Sequence, residues 1–121
     1  MNKLILILSD SPAEIQLLMD VLEAADFGYE CRIIQHIDAL SERLKKQAID
    51  ILLVDKDFPD PGLYRKIKRM KTNYPSMRVI MLADQVMPHE LMKAQEHFIE
   101  GFCQKGDDYL TLINTIEQVI M

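Results

Sequence analysis

The sequence predicts a doubly wound α/β domain, in which five parallel strands alternate with five helices. Three observations predict it. Short apolar runs of strand length recur along the chain, amphipathic stretches at helical spacing separate them, and runs such as Leu4–Leu8 are apolar without alternation, as strands buried on both faces must be. Consecutive parallel strands need right-handed crossovers, which puts helices on both faces of the sheet.

The elements follow in order. Leu4–Leu8 reads as the first buried strand. Ser11 can cap a helix whose first turn holds Pro12, and Ile15, Leu18, Met19 and Leu22 recur at helical spacing until Gly28. Glu30–Gln35 (ECRIIQ) is a weaker strand, followed by a helix with Ile37, Leu40 and Leu44 on one face. Ile49–Val54, containing the apolar run ILLV, is a second buried strand and runs into Asp55. The loop KDFPDPG leads to a helix marked by Leu63, Ile67 and Met70. Arg78–Ala83 is the fourth strand, Pro88–Phe98 a shorter helix, and Ile99–Gln104 the fifth strand. A last helix carries Leu112, Ile113, Ile116 and Ile120.

With 121 residues, residues 1–121 read as one domain large enough for a hydrophobic core. A net charge of −5 argues against general nucleic-acid binding by the chain as a whole. Cys31 and Cys103 lie in apolar runs without CxxC spacing, which favours two buried free thiols in a reducing compartment. The Leu4–Leu8 run is too short for a signal-peptide core, and no segment reaches membrane-spanning length, so the expectation is a cytoplasmic protein.

In such sheets ligands bind at the carboxyl ends of the strands, near the point where strand order reverses. Strand one ends on Ser9 and Asp10, strand three on Asp55, strand four on Ala83 and Asp84, and strand five leads to Lys105. Carboxylates from separate strands converging with one lysine suit a hard cation or a phosphoryl group.

These residues, in this order, resemble a response-regulator receiver domain of two-component signalling, with the flavodoxin/CheY-like fold, over essentially the whole chain. The resemblance implies that Asp55 is the phospho-acceptor, that Asp10 and Asp55 hold Mg2+ together with the main-chain carbonyl of Asp57, and that Lys105 pairs with the acceptor or its phosphoryl group. Pro59 matches the proline of the loop after the acceptor, and Phe102 sits at the switch aromatic position. The implied donor is a histidine kinase or phosphotransfer protein. Phosphorylation would bias a surface around helix 88–98, the fifth strand and the last helix, toward an output domain or partner. No direct nucleic-acid contact and no membrane contact are implied, nor any enzyme activity beyond Mg2+-dependent self-phosphorylation of Asp55; homodimerisation is common in the family.

The sequence departs from the family at four positions. Ser9 replaces the first residue of an acidic pair, which predicts weaker Mg2+ binding, and the side chain of Asp57 could restore some of that charge. Ala83 replaces a Ser or Thr whose hydroxyl contacts the phosphoryl group, so a hydroxyl-to-Phe102 relay has lost its first member. Asp84 stands where a small residue is usual, either repelling phosphate or replacing a metal ligand. Gly106 replaces the proline after the lysine, which predicts a trans Lys105–Gly106 bond, a non-proline cis bond costing about 2.5–4 kcal/mol. A second reading therefore stands beside the first: a pseudo-receiver of the same fold that serves as a phosphorylation-independent interaction or dimerisation module. A third, a small flavin- or nucleotide-binding enzyme, has little support, because the loop SDSPAE contains no glycine.

Plainer roles compete for several residues. Asp55 and Ser11 could be capping groups, and Phe102 a core residue. Arg65–Lys71 (RKIKRMK) reads as a solvated helix face, with a docking surface for an acidic partner as the alternative. His36, His89 and His97 show no ligand spacing. Met77, Met81 and Met92 read as core filler, and Tyr109 as packing or interface.

Overall fold

The computed structural model describes residues 3–25, 28–84, 87–89, 92, 99–105 and 110–120. Five strands, β1 (Lys3–Leu8), β2 (Tyr29–Ile34), β3 (Ile51–Asp55), β4 (Arg78–Ala83) and β5 (Gly101–Gln104), form one parallel sheet in the order β2-β1-β3-β4-β5. Among the described residues the helices are α1 (Pro12–Ala25), α2 (Asp38–Lys46), α3 (Leu63–Asn73) and α4 (Leu110–Ile120). Most of the predicted helix 88–98 lies outside the described residues, although Pro88, His89 and Met92 are helical. Gly106, His97 and Tyr109 also lie outside them.

Alternation across the sheet sorts the apolar side chains into two cores. Leu4, Leu6, Leu8, Leu52, Val54, Val79 and Met81 pack with α2 and α3 on one face. Ile5, Ile7, Ile51, Leu53, Ile80, Leu82 and Cys103 pack with α1 and α4 on the other. The interiors of the central strands are therefore apolar on both sides because both faces are covered, and β2, an edge strand, is the least buried.

Three expectations are corrected. Met92 is 65% exposed rather than core filler. Cys31, on the edge strand, is half-buried rather than buried. The basic run on α3 is not a uniform solvated face. Lys71 is buried, and Lys66 bridges Asp60 at 2.8 Å and Asp38 at 3.8 Å, which leaves Arg65, Lys68 and Arg69 on the exposed side.

The amino ends of the strands are joined by side chains that reach main-chain amides. Asp50 Oδ2 accepts the Leu4 N–H at 2.8 Å, and Glu100 Oε2 accepts the Val79 N–H at 2.7 Å. Lys71 Nζ donates to the Met77 carbonyl at 2.5 Å and to Glu100 Oε1, so a buried cation closes the network.

At the start of β5, Gly101 lets α4 approach closely. A Cβ there would lie 2.9 Å from Thr115 Cγ2 and 3.4 Å from Val119 Cγ1. Thr115 cannot turn away freely, since its hydroxyl donates to the Thr111 carbonyl at 2.8 Å and its side chain is β-branched. Gly101→Ala should cost about 1–3 kcal/mol of unfolding free energy by overpacking. Thr115→Ser, which keeps the hydroxyl and removes the methyl, should recover most of that loss in urea titrations. A Gly101→Ala protein as stable as the parent would refute the close-approach account.

Candidate functional site

Strand order reverses between β1, which pairs with both β2 and β3, and this places the switch point at the carboxyl ends of β1 and β3. Asp10 follows β1 and is exposed, whereas Asp55 closes β3 and is only 4% exposed. A carboxylate this deep needs partners. Asp55 Oδ1 accepts the Asp57 N–H at 2.9 Å and a hydrogen bond from Lys105 Nζ at 2.7 Å. The lysine belongs to the chain leaving β5, two strands from β3, so its side chain spans the end of β4. Its own N–H donates to the Ala83 carbonyl at 2.8 Å, extending the ladder that aims it.

Burial alone would lower the proton affinity of Lys105. The hydrogen bond and charge of Asp55, with the charges of Glu14 and Asp84, outweigh that and raise it above the usual lysine value. Lys105 is therefore a fixed cation serving the carboxyl ends of β3 and β4.

The remaining predicted residues fall around this pair. Ala83 is fully buried, and its methyl offers no hydroxyl. Phe102 is half-buried and packs against the α2/α3 core. Asp57 and Asp84 are exposed. Ser9 is buried, and its hydroxyl accepts the Ser11 N–H at 3.2 Å. Ser11 caps α1 by accepting the Glu14 N–H at 3.3 Å.

Sequence reasoning missed Glu14. Burial pushes its carboxyl above the usual range, Lys105 opposes that shift, and Asp55 and Asp84 add to it, so Glu14 belongs electrostatically to this cluster. A sequence signal existed, because Ser11 and Glu14 have the S-x-x-E spacing of a helix start.

Receiver domains of two-component signalling typically hold Mg2+ at such an acidic pocket. The donors here are all oxygens, as that ion requires. Among the described residues no three His, Cys, Asp or Glu side chains form a metal-binding group by themselves. Two carboxylates, a main-chain carbonyl and waters are the set that would fit, and Mg2+ characteristically retains waters.

The chain is thus a doubly wound parallel α/β domain with a buried Asp–Lys pair at its switch point. Residues 5–117 match the response regulator receiver domain family, and the chain belongs to it. It is 29% identical over 105 residues to the sensor histidine kinase RcsC of Salmonella typhimurium, a match that covers 86% of this chain and 11% of that protein. The chain thus spans about a tenth of the length of the curated relatives it matches.

Among solved structures it is similar to the chemotaxis response regulator CheY4 of Vibrio cholerae, with a TM-score of 0.82, 21% identity, and 98% and 99% of the two chains covered. The RcsB response regulator of Salmonella typhimurium superposes with a TM-score of 0.81 at 22% identity, covering 98% of this chain and 62% of that one. At these identities the likeness shows the fold. No helix among the described residues is long and apolar enough to cross a membrane.

Proposed function

We propose that Asp55 receives a phosphoryl group from a histidine kinase or phosphotransfer protein, and that the charge change is read on a protein-interaction surface of the same domain. The observation that supports this most is the buried ion pair between Lys105 Nζ and Asp55 Oδ1 at 2.7 Å. A buried carboxylate at a strand end, held in one orientation by a lysine and a main-chain N–H, is a positioned nucleophile. Both hydrogen bonds fall on Oδ1, which makes Oδ2 the attacking oxygen. A new Oδ2–P bond forms as the donor's P–N bond breaks, and the departing imidazole nitrogen keeps the electron pair and takes a proton.

Lys105 would neutralise charge gathering on the transferred oxygens, the main requirement of phosphoryl transfer. The Asp57 N–H keeps Asp55 in place as that charge builds. Asp10, Asp55 and the Asp57 carbonyl would hold Mg2+, which when bound supplies further neutralisation of the same oxygens.

The product carries close to two negative charges where the carboxylate carried one. Lys105 reaches Asp55 from the β5 end, and Phe102 lies three residues earlier, so β5 links the site to the surface. An output domain or protein would read that surface, and homodimerisation through β5 and α4 is one form such an interaction could take.

A second reading, the phosphorylation-independent interaction module, is favoured by Ala83. The buried methyl at the end of β4 cannot hydrogen-bond a phosphoryl oxygen, and Ser9 brings no charge to the end of β1.

Intact-mass measurement after incubation with Mg2+ and acetyl phosphate separates the two. The expected result is a single phosphoryl adduct, absent from Asp55→Asn and from a sample containing EDTA. No adduct under conditions that modify an ordinary receiver, and none with a panel of phosphorylated histidine phosphotransfer domains, would favour the interaction module.

A further inference from the structure

Among the described residues β2 pairs with β1 alone, so its other side is an edge of the sheet. Which of its main-chain groups face outward follows from β1. The Leu4 N–H donates to the Asp50 side chain, and the Leu4 carbonyl accepts the Asp50 N–H at 3.0 Å, so Leu4 faces away from β2. Alternation then turns the main-chain groups of Ile5 toward β2, where a parallel ladder bonds them to Glu30 and Arg32, the residues flanking its partner Cys31. The N–H and C=O of Cys31 and Ile33 therefore point out of the sheet.

The side chains alternate as well. Tyr29 and Cys31 pack toward the α1/α4 core, whereas Ile34 belongs to the α2/α3 core, which puts Glu30 and Arg32 on that second face. Arg32 and Ile33 are exposed, Ile33 at 40%.

This edge is complementary to itself. A second copy laid antiparallel against it, about a two-fold axis perpendicular to the sheet, keeps each face continuous. With the axis at Cys31, Glu30 stands opposite Arg32 of the second copy, and Arg32 opposite its Glu30. On the other face Tyr29 stands opposite Ile33, an aromatic–β-branched pair. The outward N–H and C=O of the two Cys31 residues meet and exchange two hydrogen bonds. Neighbouring registers are disfavoured. An axis at Glu30 sets two glutamates against each other, one at Arg32 sets two arginines, and one between residues pairs side chains of opposite faces.

We propose that β2 is a homodimer interface, through which two copies of this chain join their five-stranded sheets with Cys31 on the two-fold axis. The ion pair between Arg32 and Glu30 within one chain becomes part of a cluster of four alternating charges. Strand pairing over so few residues buries less than a typical stable interface, so the dimer is weak, with a dissociation constant on the order of 10–100 µM. The β5 edge stays free for the phosphorylation signal, and the dimer does not depend on Asp55 as acceptor.

The test is sedimentation velocity under reducing conditions, over a series from about 5 to about 500 µM chosen to bracket that constant. The parent is expected to pass from monomer to dimer across the series. Glu30→Arg sets arginine against arginine and Arg32→Glu sets glutamate against glutamate. Each alone should weaken association roughly tenfold or more, with far-UV circular dichroism reporting an intact fold. An equimolar mixture of the two variants restores both opposite-charge contacts and should form a heterodimer close to the parent in strength. The double variant Glu30→Arg/Arg32→Glu should do the same as a homodimer. A parent that stays monomeric at the highest concentration overturns the proposal. So does a dimer that ignores both charge reversals, or a mixture that associates no more tightly than either variant alone.

Discussion

Lys71→Met is expected to lower the unfolding free energy by about 2–4 kcal/mol, toward the low end of the cost of breaking a buried ion pair because Glu100 keeps some contact with water. The substitution keeps the apolar stem and removes only the ammonium, so packing loss contributes little. What remains is a Glu100 carboxylate that has lost its cation and a Met77 carbonyl that has lost its donor. Glu100→Gln removes the charge while an amide oxygen can still accept the Val79 N–H, and it should cost less. The double variant should be more stable than the sum of the single losses predicts, because neither charge is then stranded. Urea unfolding followed by far-UV circular dichroism reads all four proteins, with an unchanged slope confirming that only stability has moved. Additive losses would show that Lys71 and Glu100 are not energetically coupled.

The second large effect concerns the two cores. Leu52 and Leu53 are neighbours on β3, both 0% exposed, yet Leu52 packs with α2 and α3 and Leu53 with α1 and α4. Each truncation to alanine should cost about 2–5 kcal/mol, from lost transfer energy and the cavity left behind. Because the sheet separates the two cavities, the double variant should lose nearly the sum, about 4–10 kcal/mol. A domain at the low end of the usual range of about 5–15 kcal/mol would then be largely unfolded at room temperature. Strong sub-additivity in chemical denaturation would mean that the two cores relax together and that the sheet is not the rigid partition described.

Much of this architecture was legible in the residues. Leu4–Leu8 and ILLV have no polar face, as strands of a doubly covered sheet require, and the strand-end rule points to Asp55 and Lys105, which the fold joins by a hydrogen bond. What was not legible depends on contacts distant in sequence. Lys71 lies four residues after Ile67, on the apolar stripe of α3, but its burial makes sense only with Glu100, which is 29 residues away. Read by composition, RKIKRMK is a wet surface; the fold divides it into a buried cation, a bridging one and exposed ones.

Glu14 was hidden for the opposite reason. Its local pattern explains it so well as a helix start that nothing draws attention to its carboxylate, and only the competing bond from Ser11 to Ser9 shows that the carboxylate is available elsewhere. Met92 and Cys31 are more exposed than the sequence suggests because an apolar residue in a periodic stretch carries no label for the side it faces.

Among the described residues the two ends of the sheet are fastened by different kinds of side-chain link. At the amino ends, Asp50 and Glu100 fasten β1 and β4 through main-chain amides, and Lys71 fixes Glu100 in turn. At the carboxyl ends, Lys105 and Asp55 supply a long-range link between side chains, and protonation or esterification of Asp55 would weaken it. The strands are thus clamped like the teeth of a comb at the spine. If Asp55 is the acceptor, a charge change at the tips would act on the loops beside it before it reached the fastened ends.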